Sequence, residues 1–259
     1  MFPIAAGLVP SRNPGGRPSS WAATGRSGGV SRPPYDSLNL GAHVGDDEQA
    51  VGVNLSRLAR LLAVPADRLA LMDSVHGAEV ATAFGPGVFS GVDGLVTQEP
   101  DLVIVARGAD CVPMALVGDD GRTVAVAHCG WQGLTLGIVD AIVDAIARYG
   151  SGIDAAVLGP AVCGTCYPVP PDRAAEVAAR CSTSVAAAAL VTRQDGQMGI
   201  DVRQGVEARL RERGVAPEAI RLVGGCTVED RNLFSFRRDG RTGRQGIGIR
   251  LGDLARMDT

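Results

Sequence analysis

The sequence predicts a single compact domain of the α+β class, with mixed β-sheets flanked by helices. The chain has 259 residues, of which 46% are apolar, and this is enough material for one substantial core. The predicted strands and helices mix without the strict alternation of a doubly wound sheet. Because no linker is evident, we predict one domain at residues 21–259, preceded by a flexible N-terminal leader rich in Pro, Gly and Ser at residues 1–20.

The first half of the chain predicts one helix and several strands. Residues 21–45 are typical of a strand, a glycine turn and a loop. A helix is predicted from Asp46 and Asp47 to about Leu62, because acidic residues suit a helix N-terminus and apolar residues follow at helical spacing. The predicted strands that follow are "RLALMDSVHG", "DGLVT", "DLVIVARGADCVPMALV", which Gly108 breaks into two, and "TVAVAH".

The second half predicts three helices, two strands and a hairpin. The segment "GLTLGIVDAIVDAIARYG" has one apolar face and ends in glycine, which predicts a single helix. "DAAVLGP" predicts a strand, and "DRAAEVAARC" and "VRQGVEARLRERG" predict helices. "IRLVGGCT" predicts a strand, and "NLFSFRRDGRTGRQGIGIRL" predicts a hairpin around "RDGRTG".

Charge and cysteine content narrow the functional class. The net charge is −3 and the pI is near 5.6, so no global basic field exists to bind nucleic acid or an anionic membrane. No apolar run approaches the ~20 residues of a membrane span. Six cysteines without a secretion signal favour reduced thiols or metal ligands over disulfides. We expect a cytoplasmic protein that is a monomer or weak homodimer.

Three potential metal ligands are predicted at the ends of strands. His76 ends a strand in "SVHG", Cys111 follows a glycine kink in "ADCVP", and His128 ends a strand in "AHCG". Strand ends gather at one edge of a sheet, where sites commonly form. Two imidazoles and one thiolate suit zinc, and three protein ligands leave the open position that a catalytic zinc requires. Alternatively, each residue is an ordinary buried histidine or cysteine, because the wide spacing forms no local metal signature.

Seven motifs in a fixed order resemble a known family. They are "GGVSRPPYDSLNLGAHVGDD", "SVHG", "DGLVT", "ADCVP", "AHCGWQG", "GPAVCGTCY" and "NLFSFRRDGRTGR". From about Thr24 to Gln245, the chain resembles the laccase-domain family, also called YfiH-like or multicopper polyphenol oxidoreductase-like. The resemblance implies a YfiH-like α+β fold and a catalytic zinc bound by His76, Cys111 and His128. It also implies a purine nucleoside phosphorylase that uses phosphate with adenosine, inosine, guanosine or methylthioadenosine, and that also deaminates adenosine.

Phosphorolysis requires groups that bind phosphate and ribose. Arginines suit phosphate because the guanidinium fork binds two oxygens at once. The candidates are Arg26 in "TGRSGG" and Arg237, Arg238 and Arg244 in the predicted hairpin, although a solvated basic hairpin would contain the same residues. Asn39 is a candidate for binding ribose or, alternatively, for capping its own turn.

Other residues near the motifs have two interpretations each. His43 is an acid–base group near the site or a turn residue, and Asp110 orients a metal ligand or fixes its turn. Trp131 packs on the first turn of a helix or stacks on a base. Gln132 stands where the family has arginine, which predicts weaker phosphorolysis with unchanged metal binding. Ser74 and Pro168 also depart from the family pattern.

The remaining cysteines and three rival functions stay open at this point. Cys163 and Cys166 form a C-x-x-C pair, which is either redox-active or part of a thiolate zinc site with Cys111 and Cys129. Cys181 and Cys226 are predicted to be core or otherwise unremarkable thiols. A true multicopper oxidase needs many histidines in H-x-H pairs, and this chain has three without such a pair, although Cu²⁺ could replace zinc. The other rivals are a peptidoglycan-precursor editing hydrolase and a non-catalytic zinc protein.

Overall fold

The fold, seen in a computed structural model that describes residues 3–252, contains two six-stranded sheets and a small hairpin. The strands are β1 (Ala5–Val9), β2 (Ser19–Ala23), β3 (Leu69–Asp73), β4 (Val80–Thr82), β5 (Gly87–Ser90), β6 (Gly94–Thr97), β7 (Val103–Gly108), β8 (Val112–Gly118), β9 (Val124–Cys129), β10 (Ile153–Leu158), β11 (Leu190–Thr192), β12 (Met198–Ile200), β13 (Ile220–Leu222) and β14 (Gln245–Leu251). The helices are α1 (Glu48–Leu61), α2 (Trp131–Leu136), α3 (Ile138–Ala147), α4 (Pro171–Arg180), α5 (Thr183–Ala189), α6 (Val202–Glu212) and α7 (Phe236–Asp239), with short 3₁₀ turns at Ala42–Val44, Gly164–Cys166 and Pro217–Ala219.

Both large sheets mix parallel and antiparallel pairs. The first has the order β1-β2-β14-β7-β3-β5, and the second has the order β13-β10-β8-β9-β6-β4. In the first sheet β3 is parallel to both β5 and β7, whereas β14 is antiparallel to β2 and β7. The prediction of one mixed α/β domain with mixed sheets and flanking helices is confirmed.

The strand alternation of β7 shows how the layers pack. Ile104 and Ala106 belong to the apolar cluster that also contains residues from the second sheet, such as Val126. Val103 and Val105 lie on the opposite face of β7 and pack with leucines of α1. The sheets therefore share one core, and α1 covers the outer face of the first sheet.

Helices cover the outer face of the second sheet in the same way. Met114 and Leu116 of β8 belong to a cluster with Ile142 and Ile146 of α3, and residues from α4, α5 and α6 extend it. All four of these side chains are buried. Within residues 3–252, no helix has both the length and the apolar composition that crossing a bilayer requires.

Two of the predicted elements take another form, because glycine and side-chain contacts override the pattern. The helix predicted across "GLTLGIVDAIVDAIARYG" is split into α2 and α3 at Gly137, whose φ of 90° is left-handed. The hairpin predicted at "RDGRTG" is wrong. The side chain of Gln245 hydrogen-bonds to the backbone N and O of Phe234, in the segment predicted as the first hairpin strand. The helix α7 follows this segment in place of the predicted turn.

The predicted N-terminal leader also differs from the structure. Residues 5–9 form β1, which pairs antiparallel with β2 from Ala5↔Ala23 to Val9↔Ser19. A Cβ at Gly7 would lie 2.9 Å from the ring of Trp21, so β1 lies closely over that buried indole. Residues 5–9 and 19–20 of the predicted leader are therefore strand residues of the first sheet, and the flexibility expected of residues 1–20 stays a prediction. The ends of the predicted leader and domain, residues 1–2 and 253–259, lie outside the described residues.

Candidate active site

The three predicted metal ligands converge on one point. The distance between Cys111 Sγ and His76 Nε2 is 3.8 Å. The rings of His76 and His128 meet edge to face, with centroids 4.9 Å apart. One donor atom from each residue lies within 4.8 Å of the other two. Side chains that are 17 and 35 residues apart in sequence therefore face a common small volume, as predicted.

Loops rather than strand ends present two of these ligands. β3 ends at Asp73, so His76 does not end a strand but lies in the loop beyond it, with a left-handed φ of 62°. Asp110, next to Cys111 in the loop between β7 and β8, has a φ of 103°. Positive φ is uncommon for non-glycine residues and clusters at functional sites. Only His128 lies within a strand, the penultimate residue of β9.

Asp93 is the residue that holds two ligands together, and the sequence analysis missed it. Its buried carboxylate accepts hydrogen bonds from the backbone N–H groups of Val75 (3.2 Å), His76 (3.1 Å) and Gly77 (2.7 Å). It also lies 2.9 Å from Nδ1 of His128. A proton on Nδ1 leaves Nε2 free for a metal, and such outer carboxylates orient metal-binding histidines. The signal was present, since Asp93 begins the quoted motif "DGLVT".

Cys111 and His128 each stabilise the charged form of the other. Burial alone would raise the pKa of Cys111, but the charge of His128 and hydrogen bonds from both histidines lower it to about 6. Burial would lower the pKa of His128, but the Cys111 thiolate and the Asp93 carboxylate raise it to about 9. The thiol is thus held as a thiolate, the form that binds metal, whereas His128 must release one ring proton before its nitrogen can bind.

The donor set and the space around it fit a divalent metal ion. A Cβ at Gly130 would lie 3.1 Å from Cys111 Sγ and 3.1 Å from His76 Cδ2, so any side chain there would crowd the ligands. Imidazole nitrogens and thiolate sulfurs are both ligands of catalytic zinc sites. His76, Cys111 and His128 could therefore hold such an ion and leave one coordination position open.

A cavity of about 590 Å³ opens beside this group. Its lining includes the three potential ligands together with basic and aromatic side chains. The basic residues are His43, Arg107, Arg237 and Arg244, and the aromatic residues are Trp131, Tyr167 and Phe236. This volume is within the range of small-molecule sites.

Two half-buried arginines give the cavity a positive wall. Arg107, in the middle of the first sheet, donates to the carbonyl of Leu40 at 2.8 Å, and burial lowers its pKa to about 10. Arg244 donates to the carbonyls of Thr242 and Gly243, and burial likewise lowers its pKa. Neither guanidinium forms an ion pair with a carboxylate of residues 3–252, so both favour an anionic ligand. The sequence analysis missed Arg107 because it lies in an apolar strand.

Arginine side chains also stack on the aromatic rings of the cavity wall. The guanidinium of Arg237 lies over the ring of Tyr167 at 4.7 Å, and that of Arg173 lies over the indole of Trp131 at 4.7 Å. Such stacking fixes the rings by cation–π attraction. Trp131 packs against the core cluster of the second sheet, as one of its two interpretations held, and it also lines the cavity.

Arg26 and Arg238, predicted to bind substrate, do not line the cavity. Arg26 pairs with Asp36 at 2.9 Å and with Asp239 at 3.4 Å. Arg238 donates to four backbone carbonyls, and its Nη2 lies 2.8 Å from Asp239. Their hydrogen-bonding groups are occupied within the protein, so we reassign both residues to the framework of the site.

Asn39 is likewise a framework residue. Its buried side chain accepts from the backbone N–H of Gly41 and of Arg244 (2.8 Å) and donates to Asp46 at 2.8 Å. The amide therefore closes its own turn and positions Arg244, and it does not line the cavity. This agrees with the turn interpretation rather than with ribose binding.

His43 and Asp110 both border the cavity. Partial burial, followed by the charges of Arg107 and Arg244, lowers the pKa of His43, so this imidazole is neutral at pH 7. Asp110 accepts from Thr227 Oγ1 at 2.6 Å and from the backbone N–H of Arg237 at 2.6 Å. It therefore fixes its loop against α7 and orients no metal ligand.

The predicted thiolate site with Cys111 and Cys129 is not formed. Cys129 is buried, and burial raises the pKa of its thiol well above the usual value. Cys163 and Cys166 group instead with Cys226. The six cysteines are all free thiols.

Comparisons with known proteins agree with the resemblance in the sequence. The model of the family described as multi-copper polyphenol oxidoreductase laccase matches residues 20–252. A Streptomyces coelicolor protein named purine nucleoside phosphorylase is 43% identical over 226 residues, which cover 85% of this chain and 90% of that protein. A Mycobacterium tuberculosis protein of the same name is 40% identical over 225 residues, covering 85% and 87%.

The fold has solved counterparts. The crystal structure of YlmD from Geobacillus stearothermophilus matches with a TM-score of 0.84 and 31% identity, covering 91% of this chain and 92% of that chain. The Bacillus licheniformis hypothetical protein YfiH matches with a TM-score of 0.83 and 30% identity, covering 90% and 92%. The predicted YfiH-like fold is therefore confirmed.

Proposed function

The chain belongs to the multi-copper polyphenol oxidoreductase laccase family, and from this premise we propose that it is a purine nucleoside phosphorylase. The relatives that carry this name match over most of both chains. One observation carries the proposal: a cavity of nucleoside size is bordered by a potential metal site, by aromatic rings, and by half-buried arginines that have no carboxylate partner within residues 3–252. In the reaction, an oxygen of phosphate forms a bond to C1′ of ribose while the C1′–N9 bond breaks. The purine departs with the electron pair and takes up a proton.

We assign phosphate binding to Arg107, Arg237 and Arg244. Because Arg107 and Arg244 are half-buried, each charge–phosphate contact is stronger than it would be in water. The backbone of Arg244 is fixed by Asn39, so little conformational freedom is lost on binding. Gln132, also in the lining, can add a hydrogen bond but no charge.

We assign the purine base to the aromatic side of the cavity. Trp131 and Tyr167 already lie under guanidinium groups, which holds their rings in place. Phe236, whose side chain is 59% exposed, offers a third apolar surface at the edge of the cavity. A planar base can stack on such rings without a change in backbone structure.

We propose zinc at His76, Cys111 and His128, with Cu²⁺ as a possible substitute. A divalent ion there would supply a Lewis acid that polarises an oxygen of phosphate or ribose. Asp93 accepts from Nδ1 of His128, so Nε2 would bind the metal after releasing its proton, and the lowered pKa of Cys111 keeps its sulfur available. We place the enzyme in the cytoplasm, because its six cysteines are free thiols.

Chromatography of the products of inosine and adenosine tests the proposal. With phosphate, we expect hypoxanthine from inosine and adenine from adenosine, each with an equal amount of ribose 1-phosphate, and no free base without phosphate. Inosine formed from adenosine would indicate deamination. Equal release of base with and without phosphate would contradict phosphorolysis. Conversion of UDP-linked muropeptides alone, or oxidation of polyphenols alone, would favour a rival function.

A further inference from the structure

A second group of potential metal ligands lies outside the cavity. It consists of Cys163, Cys166, Cys226 and Glu229, whose ligating atoms all lie within 4.8 Å of one another. Oε1 of Glu229 lies 3.4 Å from the sulfur of Cys166 and 3.7 Å from that of Cys163. None of the four residues lines the cavity. We refer to this group as the Cys3Glu cluster.

The sheet topology brings the two halves of the Cys3Glu cluster together. β10 and β13 pair in parallel, so the segments that follow them leave the second sheet side by side. A bridge between Ala161 and Cys226 continues this pairing beyond the strands. Cys163 and Cys166 therefore face Cys226 and Glu229, and each pair has two residues between its members. Two such pairs on adjacent loops have the ligand spacing of structural zinc sites, with Glu229 in the place of a fourth Cys or His ligand.

The geometry of the Cys3Glu cluster suits a tetrahedral ion. Zinc–sulfur bonds of about 2.3 Å place tetrahedral sulfur ligands about 3.8 Å apart, so the observed spacing requires only small side-chain rotations. The backbone N–H of Cys163 donates to the sulfur of Cys226 at 3.3 Å, and the hydroxyl of Thr165 lies 3.1 Å from the sulfur of Cys163. These outer contacts already orient two of the sulfurs.

We propose that the Cys3Glu cluster binds a structural zinc ion through four protein ligands. Each thiol that binds the ion releases its proton to solvent, and the carboxylate of Glu229 binds without a further change. Four protein ligands close the coordination shell, in contrast to His76, Cys111 and His128, which leave one position open. Cys163 and Cys166 are partly exposed, and Glu229 is exposed, so an ion can enter from solvent.

The ion would join two segments that form one wall of the cavity. Tyr167 directly follows Cys166, and the guanidinium of Arg237 lies over its ring. Thr227 directly follows Cys226, and its hydroxyl donates to Asp110, which also holds the backbone of Arg237. Zinc at the Cys3Glu cluster therefore fixes the position of the Tyr167–Arg237 pair without contacting substrate.

A disulfide is the alternative use of such cysteines. It would link two sulfurs and leave the third thiol and Glu229 without a role. Glu229 accepts from both Cys163 and Cys166, which matches a shared ion better than a redox pair. The experiment below separates the two states.

Metal analysis of purified full-length protein tests the proposal. The double variant Cys163→Ser/Cys166→Ser is expected to bind one zinc ion fewer per chain than wild type. Cys181→Ser is the matched control, because Cys181 is a partly exposed thiol outside both ligand groups, and its metal content should not change. Wild-type metal content in the double variant would overturn the proposal, whether or not the chain is a phosphorylase.

A measurement on the wild-type chain covers the case in which the double variant does not fold. Alkylation with iodoacetamide, followed by peptide mapping, should show Cys163, Cys166 and Cys226 protected by zinc and labelled after chelation, with Cys181 labelled in both states. Cobalt substitution should give the charge-transfer absorption of several thiolate ligands. Equal labelling with and without zinc, or a disulfide between Cys163 and Cys166 in the zinc-saturated protein, would refute the site.

Discussion

Replacing Asp93 by asparagine should weaken both the fold and metal binding. The carboxylate is fully buried and accepts from four donors, two at each oxygen. Oδ2 accepts from Val75 and Gly77, whereas Oδ1 accepts from His76 and lies beside Nδ1 of His128. Asparagine has nearly the same shape, but one of its two terminal atoms is an N–H donor.

The expected loss of unfolding free energy follows from the number of donors that lose an acceptor. In whichever orientation the amide sits, two N–H groups that point at this buried position lose their acceptor and face another donor. Each such group costs about 1–3 kcal/mol, so Asp93→Asn should lower the free energy of unfolding by about 2–6 kcal/mol. That is a large part of the ~5–15 kcal/mol typical of a domain. Loss of the contact that orients His128 should also weaken zinc binding about 10- to 100-fold.

Denaturant titration of the metal-free protein and zinc competition with a chelator measure these two quantities. Asp119→Asn is the matched control, because this exposed carboxylate also accepts a backbone N–H, that of Gly152 at 2.9 Å, but lies outside the cavity. The control should lose about 1 kcal/mol or less and keep wild-type zinc affinity. Wild-type stability and wild-type zinc affinity in Asp93→Asn would refute the assigned role.

The pH dependence provides a further check on the same variant. Burial would raise the pKa of Asp93, but hydrogen bonds from His128 and Gly77 outweigh it, and the pKa is lowered. A lowered pKa adds stability above the unfolded value of about 3.9, and this stability is lost as the pH falls through the native value. The stability difference between wild type and Asp93→Asn should therefore be full at neutral pH and shrink in acid.

Three further changes separate metal binding from phosphate binding. His128→Ala should remove the metal of the active site together with phosphorolysis, and metal analysis with the inosine assay checks this; full metal content would contradict the ligand set. Gly130→Ala should weaken metal binding, because its Cβ would lie 3.1 Å from atoms of Cys111 and His76. The loss of stability should be small, because the backbone φ of −90° suits alanine. Zinc competition with a chelator measures the loss of zinc affinity. Arg244→Gln should raise KM for phosphate about 10- to 100-fold, because a charge-assisted contact contributes about 1.5–3 kcal/mol, and the metal content should not change. Steady-state kinetics measures KM, and an unchanged KM would contradict the assignment.

The elements predicted from periodicity are mostly present, because burial of an apolar face determines them. The helix begun by Asp47 and the strand at "TVAVAH" are examples. Elements set by single contacts were not predictable in the same way. α7 follows a segment that Gln245 holds from eleven residues away, and no local pattern in the sequence indicates that contact.

The potential metal ligands were predictable, whereas most of the cavity was not. His76, Cys111 and His128 stand out as rare residue types within ordered motifs. Arg107 does not, because its guanidinium reaches the cavity from a strand that is otherwise apolar. Cys226 was assigned to the core, because its proximity to Cys163 depends on the parallel pairing of β10 and β13, which sequence spacing does not reveal.

The arginine-rich segment shows why residue type alone misassigns function. Arg237 and Arg238 are adjacent on α7, and successive helical residues point about 100° apart, so the two guanidinium groups face different surroundings. Arg237 lines the cavity, and Arg238 turns inward to bind the carbonyls of residues 227–233. These carbonyls belong to the segment that begins at Cys226. The inner arginine and the Cys3Glu cluster therefore order the same stretch of chain, and the position of Arg237 depends on both.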